Sequence, residues 1–413
     1  MSEQPKAPGR FTRRGLLVRS ARLAAAVAGM GLAGTQMAAE RAEAAPELPN
    51  AERAAVTYVA MQKYFYLETE PLYRQTYPHS GGPRYSFHWP FTQVLAATLG
   101  RYGLAGTGSD FEREVAARLA GLAAYWDPGS TPPAYDSYPR APYGTGAEQY
   151  YDDNVWAGLA LVQLYRMLRG STDPVHQQQA AFALERAVEV FRLMVSGWDT
   201  DPTHPAPGGV FWVKAAWSRD RNVVSNAPGA ELGFHLYELT GRAHYLEWGR
   251  RMYEWVERYL RAPNGLYWDH VDLTGVVEET QWSYNQGTMI GANALLYRIT
   301  REAKYLAAAE RIAETALVHY RADSRFYPQP AAFNAIFFRN LLLLAGINRN
   351  PRYRAAMQLY ADILWHDQTA HDWRTRLFYL GGPGRPAELL DQAAMIQIYA
   401  YLAWPPNSYA LLT

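Results

Sequence analysis

Two adjacent aspartates, Asp152 and Asp153, are the residues of this chain whose type and spacing could carry out chemistry. Like charges at close range repel, so the pKa of one member of such a pair tends to rise. One ionised and one protonated carboxyl group are what most enzymes that hydrolyse glycosidic bonds use. The alternative is that either aspartate caps the helix that follows or lies in its first turn, where the helix dipole favours an anion. The surrounding residues must decide between the two.

Aromatic side chains flank the pair on both sides. Tyr150 and Tyr151 precede it, and Trp156 follows it. Tyr and Trp present flat apolar faces with a polar group at the edge, and sugar rings stack on such faces. The whole chain has 30 Tyr and 13 Trp, although a large helical protein also uses aromatic residues to fill its core. This setting favours a carbohydrate-active site.

Three more segments combine aromatic, polar and glycine residues in the same way, and each precedes a predicted helix. They are residues 86–91, residues 208–212 with Ser225-Asn226 after them, and residues 282–288. Taken singly, each is equally consistent with a buried aromatic anchor followed by a helix cap. Taken together at one end of a fold, they favour a sugar-binding groove. The candidate sugar contacts are Tyr151, Asn154, Trp156, Trp89, Phe211, Trp212, Asn226, Tyr284, Asn285 and Gln286.

Apolar residues recur with helical periodicity through almost every long segment, and strand-like alternation is scarce. The sequence therefore predicts an all-α protein. Short pieces at residues 209–213 and 265–269 are predicted to be small hairpins between helices. The predicted helices include Glu112–Tyr125, Asn154–Leu168, Gln178–Met194, Ala230–Leu239, His244–Leu260, Thr288–Ile299, Lys304–His319, Asn334–Leu344, Arg352–Trp365 and Leu389–Trp404.

An internal repeat organises these helices. Tyr237 and Tyr297 are 60 residues apart, and each is followed by a short polar turn and a second helix. A single helical hairpin cannot bury its own apolar face, so such repeats must pack against one another. Residues 45–413 number 413 − 44 = 369, which is about six repeats. Six hairpins in a ring give an (α/α)6 toroid, or barrel, whose cleft lies where the inner helices begin. An open superhelix of hairpins is the alternative.

The N-terminus reads as an export signal. Arg13-Arg14 with Leu16 and Leu17 resembles a twin-arginine motif, and a mild apolar run follows it. Ala42-Glu43-Ala44 fits the small-x-small pattern of a signal-peptidase site. Residues 1–44 are thus predicted to be a bacterial twin-arginine signal peptide, with a disordered basic leader as the alternative. Residues 45–413 are predicted to be one catalytic domain that is secreted or held in the cell envelope.

Composition limits the partners. The first 44 residues carry seven basic and three acidic side chains, or +4, so the rest of the chain carries 1 − 4 = −3. Such a near-neutral chain suggests neither nucleic acid nor an anionic membrane surface as partner, and no apolar run is long enough to span a membrane. With no cysteine and no ligand spacing among ten histidines, we expect no metal. We expect a monomer.

Several motifs occur in a fixed order along the chain. They are Tyr151-Asp152-Asp153-Asn154-x-Trp156, Gly197-Trp198-Asp199, Gly208-Gly209-x-Phe211-Trp212, Ser225-Asn226, Tyr284-Asn285-Gln286-Gly287-Thr288 and Phe333-x-x-Ile336-Phe337-x-Arg339-Asn340. In these motifs the chain resembles glycoside hydrolase family 76, the bacterial endo-α-1,6-mannanases, over nearly the whole mature chain. The resemblance implies an (α/α)6 barrel and a catalytic tandem of aspartates, with retention at the anomeric carbon.

Carried over to this chain, the resemblance makes Asp152 the nucleophile and Asp153 the general acid/base. It implies α-mannan polysaccharide or oligosaccharide as substrate and no cofactor. The chain departs from the family at Asn334, where a basic residue is usual, and at Pro207, where many members have glycine. Neither departure touches the aspartate pair.

Other functions stay open on sequence alone. A transglycosylase could use the same pair, because a covalent glycosyl-enzyme can pass to a sugar instead of water. A non-catalytic glycan-binding protein would keep the aromatic residues but would have no need of both carboxylates. Sugar epimerases on (α/α)6 barrels depend on inner-helix histidines, and no such set is visible. The α-1,6-mannan core of lipomannan or lipoarabinomannan is a specific substrate hypothesis.

Overall fold

The computed structural model describes residues 47–79, 81–103 and 109–413. The signal peptide that the sequence predicts at residues 1–44 lies outside the described residues. The boundary between that signal and the catalytic domain therefore stays a prediction.

Twelve α-helices form in the described part of the chain. They are α1 (Asn50–Phe65), α2 (His88–Tyr102), α3 (Ser109–Ala123), α4 (Tyr151–Leu168), α5 (Pro174–Ser196), α6 (Val223–Thr240), α7 (Ala243–Tyr259), α8 (Ser283–Thr300), α9 (Ala303–Arg321), α10 (Ala331–Asn348), α11 (Pro351–His366) and α12 (Leu389–Ala403).

The even-numbered helices form an inner ring and the odd-numbered helices an outer layer. Each inner helix packs against the inner helix on either side, and α12 closes the ring by packing against α2. Each inner helix also packs against the outer helix that follows it, while α12 pairs with α1 from the other end of the chain. Six helical hairpins thus close on themselves. The predicted (α/α)6 barrel is confirmed, and the open superhelix is wrong.

Burial explains which helices lie inside. In α10, all residues from Ala331 to Ala345 are buried, because both neighbouring helices and the outer layer cover it. In α7 only one face is buried, as expected for an amphipathic helix against solvent. By length and composition α10 also qualifies as a candidate membrane span among the described residues, but 83% of it is buried within the protein, as in a core helix.

The two ends of the barrel differ. Connections from inner to outer helices are short, as between Thr240 and Ala243 or between Thr300 and Ala303. The connections that lead into inner helices are long and contain all the short strands of the described residues. Those strands are β1 (Thr76–Tyr77), β2 (Trp126–Asp127), β3 (Ala134–Tyr135), β4 (Asp220–Asn222), β5 (His270–Asp272), β6 (Val277–Glu278), β7 (His371–Asp372), β8 (Leu377–Phe378) and β9 (Ala387–Glu388).

The strands pair antiparallel as β1 with β9, β2 with β3 and β7 with β8, while β4, β5 and β6 form one three-stranded sheet. Residues 209–213 do not form a hairpin of their own. Val210 instead bridges to Trp198, and Phe211 bridges to Arg221. The hairpin predicted at residues 265–269 lies a few residues later, between β5 and β6.

An amide side chain occupies the fourth position of five of the six inner helices. In four of them the amide oxygen accepts from the backbone N–H of one residue in the preceding loop, and the amide nitrogen donates to the carbonyl of that same residue. These clamps are Asn154 on Tyr135, Asn226 on Val210, Gln286 on Tyr267 and Gln392 on Phe378. In α10, Asn334 donates to the carbonyl of Phe326 and to the Tyr360 hydroxyl, while its oxygen accepts from the Ser283 hydroxyl instead of from a loop N–H. The loops are therefore fixed to the helices that they precede.

Candidate active site

Asp152 and Asp153 are the second and third residues of α4, at the end of the barrel where the long loops gather. Both are buried, with 1% and 5% of their surface exposed. The N-cap is Tyr150, whose side chain makes no capping hydrogen bond, so neither aspartate is the cap. Both lie in the first turn, where the helix dipole favours an anion. Burying two adjacent carboxyl groups is unfavourable in free energy, and a solvated helix end does not require it, so the burial favours a functional pair.

A backbone strand holds this first turn in place. The N–H of Tyr151 donates to the carbonyl of Trp212 at 3.0 Å, and the N–H of Lys214 donates to the carbonyl of Gln149 at 2.8 Å. Tyr150 forms a bridge with Val213. A helix begins with unsatisfied N–H groups, and here a carbonyl from a neighbouring loop satisfies one of them. Segment 210–213 therefore positions the aspartate pair.

Half-exposed aromatic rings lie beside the pair. The rings of Tyr150 and Trp212 meet edge to face with centroids 5.1 Å apart, and Phe211 next to them is also half-buried. Tyr151 differs, because it is 5% exposed and its ring packs against Gly197 at the end of α5. Tyr150, which the sequence analysis did not select, is therefore a better candidate for stacking on a sugar than Tyr151. Its place just before the helix distinguishes it.

A second aromatic group spans the mouth from other inner helices. Tyr284 stacks on Phe333 with ring centroids 3.8 Å apart, and Trp89 and Trp282 lie 6.0 and 5.5 Å from the same ring. Trp89, Tyr284 and Asp152 are each the second residue of an inner helix. The first turns of α2, α4 and α8 thus bring the predicted segments to one end of the barrel. Trp156 follows one turn below Asp152 and is buried.

Three of the predicted sugar contacts have another task. Asn154, Asn226 and Gln286 are fully buried, and the oxygen and nitrogen of each amide bind backbone groups of the preceding loop. These contacts hold the loops that form the mouth, and a role of the three amides in sugar binding stays a prediction. The helix-cap alternative for these segments is close to what the structure shows.

Asn285 lies in the first turn of α8, at the mouth of the barrel, and contacts a residue that the sequence analysis did not select. Its Nδ2 donates to Oδ1 of Asp269 at 3.2 Å, while its buried Oδ1 has no partner among the described residues. Asp269 Oδ2 lies 2.9 Å from His270 Nδ1, and His270 Nε2 lies 4.0 Å from Asp220. The motif Trp268-Asp269-His270, which ends at the first residue of β5, was the available signal for Asp269.

This group has a defined charge. Burial lowers the pKa of His270, but the hydrogen bond and charge of Asp269, helped by Asp220 and Glu278, outweigh burial and leave the pKa raised above 6.5. Side chains alternate between the faces of a strand, so Asp220 lies on the face opposite Arg221, together with His270. The carboxylates and the His270 imidazole face away from the buried Arg221, and such acceptors and donors suit hydroxyl groups.

Histidines elsewhere take no part in this site. Burial lowers the pKa of His88 and His235 to about 3 and that of His371 to about 4. His88 stacks on Tyr135, and His371 stacks on Phe378, so both serve as neutral packing residues. Residues 47–79, 81–103 and 109–413 contain no group of three or more His, Cys, Asp and Glu placed to hold a metal ion.

The closed ring of six helical hairpins defines an (α/α)6 barrel, with a buried pair of carboxyl groups and aromatic walls at its loop-bearing end. The family model for glycosyl hydrolase family 76 matches residues 50–372. The chain belongs to this family. Helix α12 lies beyond the matched stretch and completes the ring.

Individual proteins extend the likeness. The mannan endo-1,6-alpha-mannosidase DCW1 of Candida glabrata is 28% identical over 174 residues, which are 40% of this chain and 37% of that relative. A family 76 glycoside hydrolase from a bovine Bacteroides thetaiotaomicron strain is 25% identical with a TM-score of 0.74, over 86% of this chain and 78% of that one.

A third relative shares the fold at lower identity. It is an inactive α-1,6-mannanase variant of Salegentibacter, with two consecutive aspartates replaced by asparagine, in complex with α-1,6-mannotriose. It is 18% identical with a TM-score of 0.65, over 86% of this chain and 99% of that one.

Proposed function

We propose that this protein is an endo-acting glycoside hydrolase that cleaves α-1,6-mannosidic bonds. The observation that carries the proposal is the buried pair Asp152 and Asp153 in the first turn of α4, among aromatic walls, in a chain of family 76. The names of the relatives supply the substrate class, because the curated fungal relative is a mannan endo-1,6-α-mannosidase. Since the match covers 37% of that relative, activity and substrate remain our proposal.

We propose a retaining mechanism with two steps. The Asp152 carboxylate attacks the anomeric carbon, while the Asp153 carboxyl group gives its proton to the departing glycosidic oxygen. Asp153 then removes a proton from water, which attacks the same carbon, breaks the bond to Asp152 and releases the sugar. The helix N-terminus favours the ionised form needed at the nucleophile, and burial beside an anion favours the protonated form of the acid.

Spacing supports retention rather than inversion. Retention requires carboxyl groups about 5 Å apart, whereas inversion leaves room for water between groups that are about 6.5–9.5 Å apart. Neighbouring residues in a helix point about 100° apart, which places their carboxyl groups on the order of 5–7 Å apart. The helix also holds both groups on rigid backbone. The assignment of nucleophile and acid rests on the family resemblance.

The remaining parts of the proposal follow from the sequence. The twin-arginine signal supports export, so the substrate is an extracytoplasmic α-mannan. We propose the α-1,6-mannan backbone of lipomannan or lipoarabinomannan as one such substrate. No cofactor enters the proposed reaction, and we expect a monomer.

The Asp→Asn variants test the reaction. Asp152→Asn and Asp153→Asn should each lower the rate on linear α-1,6-mannan by at least about a thousandfold, because each removes one of two groups that act as a unit. Asp173→Asn is the matched control, since Asp173 is the N-cap of α5 at the opposite end of the barrel and asparagine caps equally well. Circular dichroism would check that all three variants are folded. Near-wild-type turnover by either active-site variant would contradict the assignment.

The product tests mechanism and substrate. Proton NMR of the first product should show the α-anomer before mutarotation, and a β-anomer would exclude retention. Linear mannan, branched yeast mannan and purified lipomannan should be compared by product size. Internal oligomannosides indicate endo action, and release from yeast mannan without release from lipomannan would count against the envelope substrate. Longer products with added acceptor mannoside would instead indicate glycosyl transfer.

A further inference from the structure

A guanidinium group is buried inside the loop that leads to the active site. Arg221 is the middle residue of β4, and its side chain is 0% exposed. A buried charge is costly unless it is paired and hydrogen-bonded. Arg221 Nη1 donates to Asp199 Oδ2 at 2.9 Å, which supplies the counter-charge. The desolvation penalty for burying a charged residue in a loop suggests that Arg221 has a structural role.

The guanidinium gathers carbonyl groups from two loops. Nη1 donates to the carbonyl of Ala206 at 3.0 Å, and Nη2 donates to the carbonyls of Pro205 and Asp272, each at 2.9 Å. Ala206 has a φ of 53°, which a side-chain-bearing residue adopts only when its surroundings enforce it. Arg221 therefore holds a turn in a conformation that this turn would not keep alone. Through Asp272 it also ties that turn to the loop before α8.

The chain that leaves this turn runs to the catalytic helix. Phe211 bridges to the backbone of Arg221, and two residues later Val213 bridges to Tyr150. Between them, the Trp212 carbonyl accepts from the N–H of Tyr151 at the start of α4. Residues 211–213 thus connect the backbone of Arg221 to the first turn of α4 through bridges and a hydrogen bond.

We propose that Arg221, with Asp199, is a positioning element for the carboxyl pair Asp152 and Asp153. The planar guanidinium group holds the turn at residues 205–208 in place. This turn positions segment 210–213, and that segment positions the first turn of α4. Arg221 touches neither the carboxyl pair nor, in this proposal, the sugar. The inference rests on the proposed function, since it assigns Arg221 a part in the same reaction.

Arg221→Lys tests the proposal, because lysine keeps the charge but cannot bridge carbonyls as a planar fork does. Arg166→Lys is the matched control. Arg166 is also buried, pairs with Glu238 at 2.8 Å and lies in the last turn of the same helix α4. Both variants lose a buried ion-pair geometry of the same kind, but Arg221 lies in β4, which is linked to the first turn of α4, whereas Arg166 lies in the last turn of α4. Asp199→Asn is a second variant that removes the counter-charge of Arg221 with little change in shape.

Turnover and hydrogen exchange are the two measurements. At 25 °C, with both variants folded, Arg221→Lys should lower kcat about 10- to 100-fold and change KM less, because misplacing a reacting group by about 1 Å costs that much while stacking surfaces tolerate it. Arg166→Lys should keep kcat within twofold. Hydrogen exchange should become faster in residues 150–156 with Arg221→Lys and Asp199→Asn, but not with Arg166→Lys.

Each outcome has a defined meaning. Unchanged kcat in Arg221→Lys, an equal loss in Arg166→Lys, or unchanged exchange at residues 150–156 would each overturn the positioning role. Exchange does not depend on substrate. If wild-type protein failed to cleave mannan while Arg221→Lys accelerated exchange as expected, the proposed reaction would fail and the positioning of the carboxyl pair would stand.

Discussion

At the scale of single residues, the mouth of the barrel shows how neighbours set the charge of a side chain. His270 is half-buried between Asp269 and Asp220, and burial alone would lower its pKa. The carboxylates outweigh burial, so the imidazole is protonated at a pH at which His88 and His235 are neutral. The same residue type therefore serves as a charged group at the mouth and as packing material in the core.

Asp269→Asn should reverse the pKa shift of His270. The substitution removes the largest of the influences that raise this pKa and leaves burial in place, so the pKa should fall below 6.5. NMR titration of the histidine ring protons would measure the change. The other histidines give an internal control, because none of them is hydrogen-bonded to Asp269. A His270 pKa that stayed above 6.5 would show that Asp220 and Glu278 suffice.

Single residues also mark the limit of prediction from sequence at the site. Asp152 and Asp153 are predicted as the catalytic pair because paired carboxyl groups are an unusual chemical signal. Tyr150 and Tyr151 could not be ranked, because which ring is exposed depends on the packing of Gly197 at the end of another helix. The backbone contacts of Asn154, Asn226 and Gln286 were not predictable from sequence, because amides bind hydroxyl groups and backbone equally well.

At the scale of elements, the amide clamps explain how long loops are held on a helical barrel. Gln286 is fully buried and binds both the N–H and the carbonyl of Tyr267. A loop of this kind has few regular backbone partners, and a buried peptide group left unpaired is costly. The same clamp recurs at the fourth position of four inner helices, so each of these helices fixes the loop that precedes it.

Gln286→Met should destabilise the protein by about 2–4 kcal/mol, because it leaves a buried N–H and a buried carbonyl without partners at similar side-chain volume. Gln178→Met is the matched control, since Gln178 is exposed on the outer helix α5 and should change stability by less than about 0.5 kcal/mol. Urea denaturation would give both values. Equal effects of the two substitutions would mean that the clamp contributes nothing specific.

Most helices were predictable, but the first turns of four inner helices, α4, α6, α8 and α10, were not. Helical periodicity identified α6 only from Ala230, whereas the helix begins at Val223 and continues through Pro228. Proline removes one hydrogen bond donor, and periodicity stops at such a residue although a covered inner helix tolerates it. The first turn of α4 was likewise missed, because its residues are polar and aromatic. In addition, the Tyr151 N–H donates to a carbonyl of a neighbouring loop instead of to a capping side chain.

At the scale of the whole molecule, the barrel buries titratable groups of two kinds. His88, His235 and His371 are kept neutral by burial, with pKa values lowered to about 3, about 3 and about 4. A lowered folded pKa means that the unfolded chain binds more protons. Stability is therefore lost as pH falls from about 6.5 towards these values, at about 1.4 kcal/mol per pH unit for each group.

Buried carboxyl groups act in the opposite direction. Burial raises the pKa of Glu231 and Asp391 well above their ordinary values and also raises that of Glu388. The folded chain then binds more protons than the unfolded chain, so stability is lost as pH rises above about 4.5 towards the folded pKa values. Between about pH 4.5 and 6.5 the buried histidines and the buried carboxyl groups change the stability in opposite directions. We expect a flat stability maximum there and a decline on either side, measurable by thermal denaturation from pH 3.5 to 9.

Glu231 offers the sharpest test of this balance. It lies at the centre of the barrel on α6, and its carboxyl oxygens have no hydrogen bond partner among the described residues. A Cβ atom added at Gly291 would overlap both Glu231 Oε1 and Asn340 Oδ1. The two oxygens are therefore close to each other, beside the α-carbon of Gly291. Asn340 Nδ2 is engaged by the carbonyl of Ile336, which leaves an acceptor facing Glu231. A protonated carboxyl group can donate to that acceptor, and an ionised one cannot.

Glu231→Gln replaces the protonated form by a neutral donor of the same shape. The variant should match the wild type near pH 4.5 and become more stable than it as pH rises, by about 1.4 kcal/mol per pH unit up to the folded pKa. The charge of Arg339 lowers that pKa and so limits the range, but burial outweighs it. Urea denaturation at pH 4.5, 6 and 8 would measure the difference. Parallel stability curves for the two proteins would show that Glu231 is ionised in the barrel and that Arg339, rather than a proton, balances its charge.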